Sequence, residues 1–427
     1  MLAPQTRFMR VIQQPPTGRR LAVLTILLSG FTAFGPLSMD LYLPAFPELA
    51  TDLGASPAAV QYTLTADVIG LVIGQLVLGP LSDAHGRRRL LIGSTLVCAL
   101  ASALCALAPS AGWLTLWRLL QGAAGGGGIV LARAVAADLT SGVAAARLFS
   151  LFITLSSVAP IVAPVLGGAL LAATGSWRPM FWLLAVISVA LAVASVRAIP
   201  ETLPRANRHA GGLREAGRAF AGLARDRVFA GYALTVAFAY ASLFGYISGS
   251  SFALQDVFGL SATQFSLVFA LNAAGMIGLG LLNARLVRRV PVRSLLLMGL
   301  VTSTAAAVVL IVLMLGSTPG LLVVLAPLFV VVASRGLVSA NATVLGVKRA
   351  PAAGAASAVL GACMFGGGIL VSPLMALGGE GSAVPMAAVV AGGAVAALLA
   401  TVVLTRGDRP QPAVDTDAAV SAEPIDE

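Results

Sequence analysis

Four charged residues stand inside long, otherwise apolar stretches of the chain: Asp40, Asp67, Arg118 and Arg335. Asp40 closes the run that begins at Leu21, in the phrase SMDLYLPAFP, and no residue between Leu21 and Met39 carries a charge. A lone charge in such surroundings costs ~3 kcal/mol or more, so each of the four marks a candidate site. The chemistry open to them is proton transfer. A carboxyl drawn one way by dry surroundings and the other way by a nearby guanidinium can change protonation near neutral pH, as a proton carrier must. Asp40 and Arg118 lie about four to six residues from the ends of their apolar runs, roughly 6–9 Å deep at the helical rise. Asp67 lies one to two turns deeper. Plainer roles stand beside this one. Asp40, with Tyr42, Pro44 and Pro47 next to it, also fits a helix end in wet headgroups. Asp67 fits either a second protonation site or a structural partner of Arg118.

Other chemistries find no residues to carry them. The two histidines fall in polar segments, and no paired carboxylates, metal-spaced ligands or nucleophile elbow occur. A G-x-x-x-x-G-K-[ST] loop is absent, so neither enzyme activity, nor a cofactor or metal, nor ATP-driven work is expected. Cys98, Cys105 and Cys363 sit in apolar stretches without C-x-x-C spacing and read as small packing residues. The net charge of +10 does not point to nucleic acid, because the basic residues fall between apolar segments rather than on one face.

The elements that must hold the four charges are transmembrane helices. Of 427 residues 58% are hydrophobic and 10% charged, with mean hydropathy +0.94, against about 25% charged in soluble domains. The first apolar run is of spanning length and has no small-residue cleavage site, so it reads as a helix rather than a removable signal. Apolar runs fall near 21–43, 58–80, 89–108, 112–139, 145–172, 176–199, 228–253, 261–284, 293–315, 319–346, 353–377 and 384–405. This predicts an all-α membrane protein of about twelve spans. With the N-terminus inside, every inner segment carries arginine or lysine and the outer loops hold only Arg178. Both termini are therefore expected to be cytoplasmic. The expected organisation is an inner segment at 1–20, six helices over 21–199, a basic linker at 200–227, six helices over 228–405, and a disordered tail at 406–427. GPLSDAHGRRRLL (79–91) after the second span and GLLNARLVRRVPV (280–292) after the eighth read as a repeat, with Asn283 standing for Asp83.

Within GPLSDAHGRRRLL, Gly86 supplies a tight turn, Arg87, Arg88 and Arg89 pin it inside, and Asp83 can pair with arginine or cap a helix. Gly79, Leu81, Asp83, Gly86, Arg87 and Arg88 match G-x-L-[AS]-D-x-x-G-R-[RK], and here the chain resembles the major facilitator superfamily. LWRLLQGAAGGGG, with Arg118, Gln121 and Gly122, is similar to that family's fourth-helix motif. VAPIVAPVLGGAL resembles the fifth-helix motif of its drug antiporters through Pro160, Pro164, Gly167 and Gly168, with Ala163 where glycine is usual. PLSMDLYLPAFP, QYTLTADVIGLVIGQLVLGPLSD, PETLP, SLVFALNAAGMIGLGLLNARLVRR and SANATV narrow the resemblance to the bicyclomycin/chloramphenicol resistance group, over residues 20 to 405 or so.

That resemblance implies two six-helix bundles in a bacterial inner membrane and export of apolar or weakly polar antibiotics against a proton gradient. Asp40 would exchange protons, and Arg118 would tune it or couple the sites. Some relatives carry a second acid two turns earlier, where this chain has Thr32. The implied partners are a small-molecule drug, protons and the lipid bilayer, and a monomer is expected. The alternative is a carrier of a polar metabolite such as a sugar or amino acid. Arg133 and Asp138 are candidates for a charge relay with Asp83 at the inner gate, or for interfacial anchors. Pro160, Pro164, Gly167 and Gly168 would let the fifth helix bend and slide. Gly70, Gly74 and Gly125–Gly128 read as close helix packing. Candidate cavity residues are Phe238, Tyr240, Phe244, Tyr246 and Phe252 on the seventh helix, with Asn272 and Asn341.

Overall fold

The computed structural model describes residues 18–140, 142–204, 208, 223, 225–316, 320–350, 353–376 and 382–406. The inner segment at 1–17, most of the linker and the tail from residue 407 lie outside the described residues. Among the described residues every regular element is helical. In chain order they are α1 (Gly18–Asp40), α2 (Phe46–Asp52), α3 (Pro57–His85), α4 (Arg87–Ala106), α5 (Ala111–Leu139), α6 (Gly142–Thr174) and α7 (Arg178–Ala198). The second half comprises α8 (Arg227–Phe252), α9 (Ala262–Leu286), α10 (Val292–Leu315), α11 (Leu321–Val347), α12 (Ala353–Ile369), α13 (Val371–Ala376) and α14 (Val384–Leu404).

Among the described residues eleven helical stretches are long and apolar enough to cross a bilayer, and Val359–Met375 is a shorter twelfth. That twelfth is broken at Leu370, between α12 and α13. The cause is Pro373, which has no N–H to give the carbonyl of Ile369 and whose ring crowds it. Large apolar side chains face outward along the spans, among them Leu322 (79% exposed) and Ile26 (72%). In water such a surface would aggregate; against acyl chains it is the expected exterior.

α1 ends at Asp40 for a similar reason. Pro44 cannot donate to the Asp40 carbonyl, so the chain passes through a 3₁₀ turn at Leu43–Ala45. It restarts as α2, with Pro47 in the first turn, where a missing N–H costs nothing.

Contacts divide the chain into two compact units, one of residues 1–42 and 66–213, the other of 43–65 and 214–427. The first has a core of Leu27, Leu28 and Phe31 from α1, Leu131 and Val135 from α5, and Phe152 from α6. The second is built on Tyr232 and Val236 from α8, Leu296 and Leu300 from α10, Val338 from α11 and Leu360 from α12. Residues 43–65 belong to the second unit through hydrogen bonds to it. Ser251 Oγ donates to the Leu43 carbonyl at 2.6 Å and Gln255 Nε2 to that of Pro44 at 3.1 Å. The Thr65 and Ser372 hydroxyls also meet.

Candidate functional site

The first unit holds a buried charge pair. α3 and α5 cross with backbones almost touching, which glycine alone permits. A Cβ on Gly122 would sit 2.1 Å from the Asp67 carbonyl oxygen, and one on Gly70 2.1 Å from that of Leu119. This approach brings Asp67, three residues before Gly70, against Arg118, four before Gly122. Arg118 Nη2 lies 3.0 Å from Asp67 Oδ2, with the two side chains 0% and 1% exposed. Arg118 Nη1 donates to Gln121 Oε1 at 2.6 Å, Gln121 Nε2 donates to Ser102 Oγ at 2.7 Å, and Ser102 Oγ donates to the Cys98 carbonyl. Ser38 Oγ, from α1, donates to Asp67 Oδ2 at 3.3 Å. The guanidinium carbon lies 4.6 Å from the centroid of the Tyr42 ring and 5.7 Å from that of Phe181, a cation–π roof worth about 2 kcal/mol in a desolvated place. Of the two roles open to Asp67, the geometry is that of a partner to Arg118.

Asp40 is placed differently. It is the last residue of α1 and only 4% exposed. No basic side chain among the described residues forms a salt bridge with it, so the guanidinium expected beside it is turned to Asp67 instead. Nor does Asp40 serve as a cap. The C-terminus of a helix carries partial negative charge and favours cations, so a carboxylate there opposes the helix dipole.

A second cluster sits at the arginine-rich end of the same unit. Gly86 has φ 101°, a conformation that side chains rarely adopt, and turns α3 into α4. Arg87 Nη1 pairs with Asp83 Oδ1 at 2.6 Å, and Arg87 Nε with Asp138 Oδ2 at 3.3 Å. Thr202 Oγ1 donates to Asp138 Oδ2 at 2.7 Å. The Arg87 backbone N–H donates to Glu201 Oε1 at 2.8 Å, and Arg88 donates to the carbonyls of Ile199 and Val196. Asp83 and Asp138 thus meet through Arg87. Arg133, expected in the same relay, is exposed and forms no salt bridge among the described residues. Glu201, in the phrase PETLP, is the residue that sequence reasoning passed over; an acid just after the sixth span, at the height of the arginine turn, was the available signal. Gly79 sits on α3 one turn before Asp83, and its carbonyl accepts from Ser82. On α6, Pro160 and Pro164 lie within the helix, and Gly167 lets α6 reach the Leu41 carbonyl, which a Cβ would meet at 1.8 Å. Gly168 is buried beside it.

In the second unit the expected cavity residues divide. Phe238 lines an apolar groove of about 780 Å³ with Leu370, Val384 and Val389. Tyr240 stacks on Phe244 and meets Phe365 edge-on. Tyr246 stacks on Phe269 and accepts a hydrogen bond from Asn272 Nδ2 at 2.9 Å. Phe252 packs on Phe46. Asn341 is committed to a reciprocal amide pair with Asn283, at 2.7 and 3.3 Å. Both asparagines therefore spend polar atoms on their own unit.

Comparison with known proteins agrees with this architecture. The family profile described as Major Facilitator Superfamily matches residues 26–373. The "Uncharacterized MFS-type transporter YdgK" of Bacillus subtilis is 38% identical, over 92% of this chain and 97% of its own length. The "Bicyclomycin resistance protein homolog" of Haemophilus influenzae is 29% identical over 85% of this chain and 91% of its own, and the "Chloramphenicol resistance protein" of Pseudomonas aeruginosa 31% over 83% and 85%. Among solved structures, the peptide transporter POT superposes with a TM-score of 0.73 at 16% identity, over 92% of this chain and 96% of that one. A helical, multi-pass membrane chain with these matches and this arginine turn belongs to the major facilitator superfamily.

Proposed function

We propose that the protein exports small apolar or weakly polar antibiotics in exchange for protons, from a bacterial inner membrane with both chain ends in the cytoplasm. The observation that carries the reading is the contrast between its two buried acids. The charge of Asp67 is balanced by Arg118 at 3.0 Å. That of Asp40 is balanced by no basic side chain among the described residues, so a proton is the counter-charge it can take up. With the proton bound, Asp40 is neutral and loses its pull on polar groups of a drug; with the proton gone, the charge returns and drug can bind. Exchange of one for the other couples the two fluxes. The Asp67–Arg118 pair fixes α3 against α5, and the Arg87 cluster holds the cytoplasmic turn. The names of the relatives in Haemophilus influenzae and Pseudomonas aeruginosa support antibiotics as cargo.

The test uses everted vesicles holding a proton gradient, read with a pH-sensitive dye. Chloramphenicol or bicyclomycin should release protons from wild-type vesicles and not from Asp40→Asn. Proton release that is unchanged in Asp40→Asn would remove the role given to Asp40. Release driven by a sugar or amino acid, with none by either antibiotic, would make the protein a metabolite carrier.

A further inference from the structure

Arg335 takes no part in the proposed exchange of proton for drug. It lies fourteen residues into the 27-residue α11 and is 2% exposed. That puts it about 21 Å from one helix end and 18 Å from the other, near the middle of a span. Of the four side chains one turn away on its face, Val331, Val332 and Val338 are each no more than 2% exposed, and the fourth, Ser339, is exposed. Among the described residues no acid forms a salt bridge with it, and Nε and Nη2 are buried without a hydrogen-bond partner. Arg118, the other arginine buried within a span, is by contrast paired with Asp67 at 3.0 Å.

The unused donors have a definite geometry. Nε–H and one Nη2–H leave the same edge of the guanidinium side by side, matching the two oxygens of a carboxylate. A lipid phosphate at the bilayer surface is some 15 Å from mid-span and is excluded as the partner.

We propose that Arg335 binds a carboxylate borne by the transported molecule, so that the cargo includes organic anions and zwitterions. This rests on the export reading only for the direction of movement. Chloramphenicol and its hemisuccinate ester share one scaffold, the ester replacing a hydroxyl hydrogen with a succinyl arm that ends in a carboxylate. In proteoliposomes under a pH gradient, Arg335→Gln should lower uptake of the ester at least tenfold and that of chloramphenicol less than twofold, with Arg335→Lys between. The ester should raise the melting temperature of the wild-type protein and not of Arg335→Gln, while free succinate and inorganic phosphate raise neither. Unliganded Arg335→Gln should melt no lower than wild type, since it loses a buried charge that has no partner. Equal losses for both compounds, no shift with the ester, a shift with phosphate alone, or a lower melting temperature for unliganded Arg335→Gln each overturns the proposal. If the ester shifts only the wild type but neither compound is moved by the gradient, the site stands and the export reading falls.

Discussion

At the scale of single residues, Asp67 and Arg118 make each other tolerable. Removing one partner strands the other charge in a place of 0–1% exposure, which costs about 3–5 kcal/mol, whereas replacing both by apolar side chains of similar volume is close to neutral. Arg118→Met should therefore lower the melting temperature of the purified protein steeply, and Asp67→Leu/Arg118→Met should recover most of the loss. Equal melting of the single and double variants would show that the pair does not couple. This pairing was only half legible in the sequence. Depth along each apolar run placed Arg118 level with Asp40, but depth says nothing about which side of a helix a residue faces. The missing information was in the glycines: Gly70 and Gly122 mark where two backbones touch, and Asp67 and Arg118 stand one turn before them. Asn341 shows the reverse limit, because an amide that looks free in a sequence is paired with another, Asn283, 58 positions away.

Helices were far easier to read than their contacts. Hydropathy places α3, α5, α8 and α11 within a few residues of their observed ends, because water–lipid partitioning acts locally along the chain. Break points such as Leu370 depend on a proline inside an unbroken apolar run, where hydropathy has no contrast to show. The α3–α5 crossing makes a second prediction. Gly122→Ala would set a Cβ 2.1 Å from the Asp67 carbonyl oxygen, and backbone cannot swing aside as a side-chain tip can. The helices must part, stretching the Asp67–Arg118 contact, so the variant should melt well below wild type. Gly93→Ala, on α4 with nothing within 4 Å of the added methyl, is the control. There alanine should be neutral or stabilising by up to about 1 kcal/mol. If both variants melt alike, close packing is not what holds these helices at this spacing.

For the molecule as a whole, the proposed exchange has Asp40 as its sole carrier of protons, and that fixes the energetics. Each proton that moves down a gradient of one pH unit releases about 1.4 kcal/mol, enough to concentrate a neutral solute tenfold. A neutral drug exchanged for one proton also moves one net charge, adding ~2.3 kcal/mol per 100 mV of membrane potential. In proteoliposomes with the potential clamped at zero, accumulation of labelled chloramphenicol should thus rise tenfold per unit of imposed pH difference. A hundredfold rise would require a second titrating group and return Asp67 to the mechanism. Asp40→Asn tests how the charge acts. A permanently neutral side chain mimics the protonated, drug-releasing state, so the folded variant should lose both accumulation driven by the pH difference and exchange of labelled for unlabelled drug across the membrane. An Asp40→Asn protein that still exchanges drug at the wild-type rate, though the pH difference no longer drives accumulation, would show that the Asp40 charge couples proton to drug without itself holding the drug.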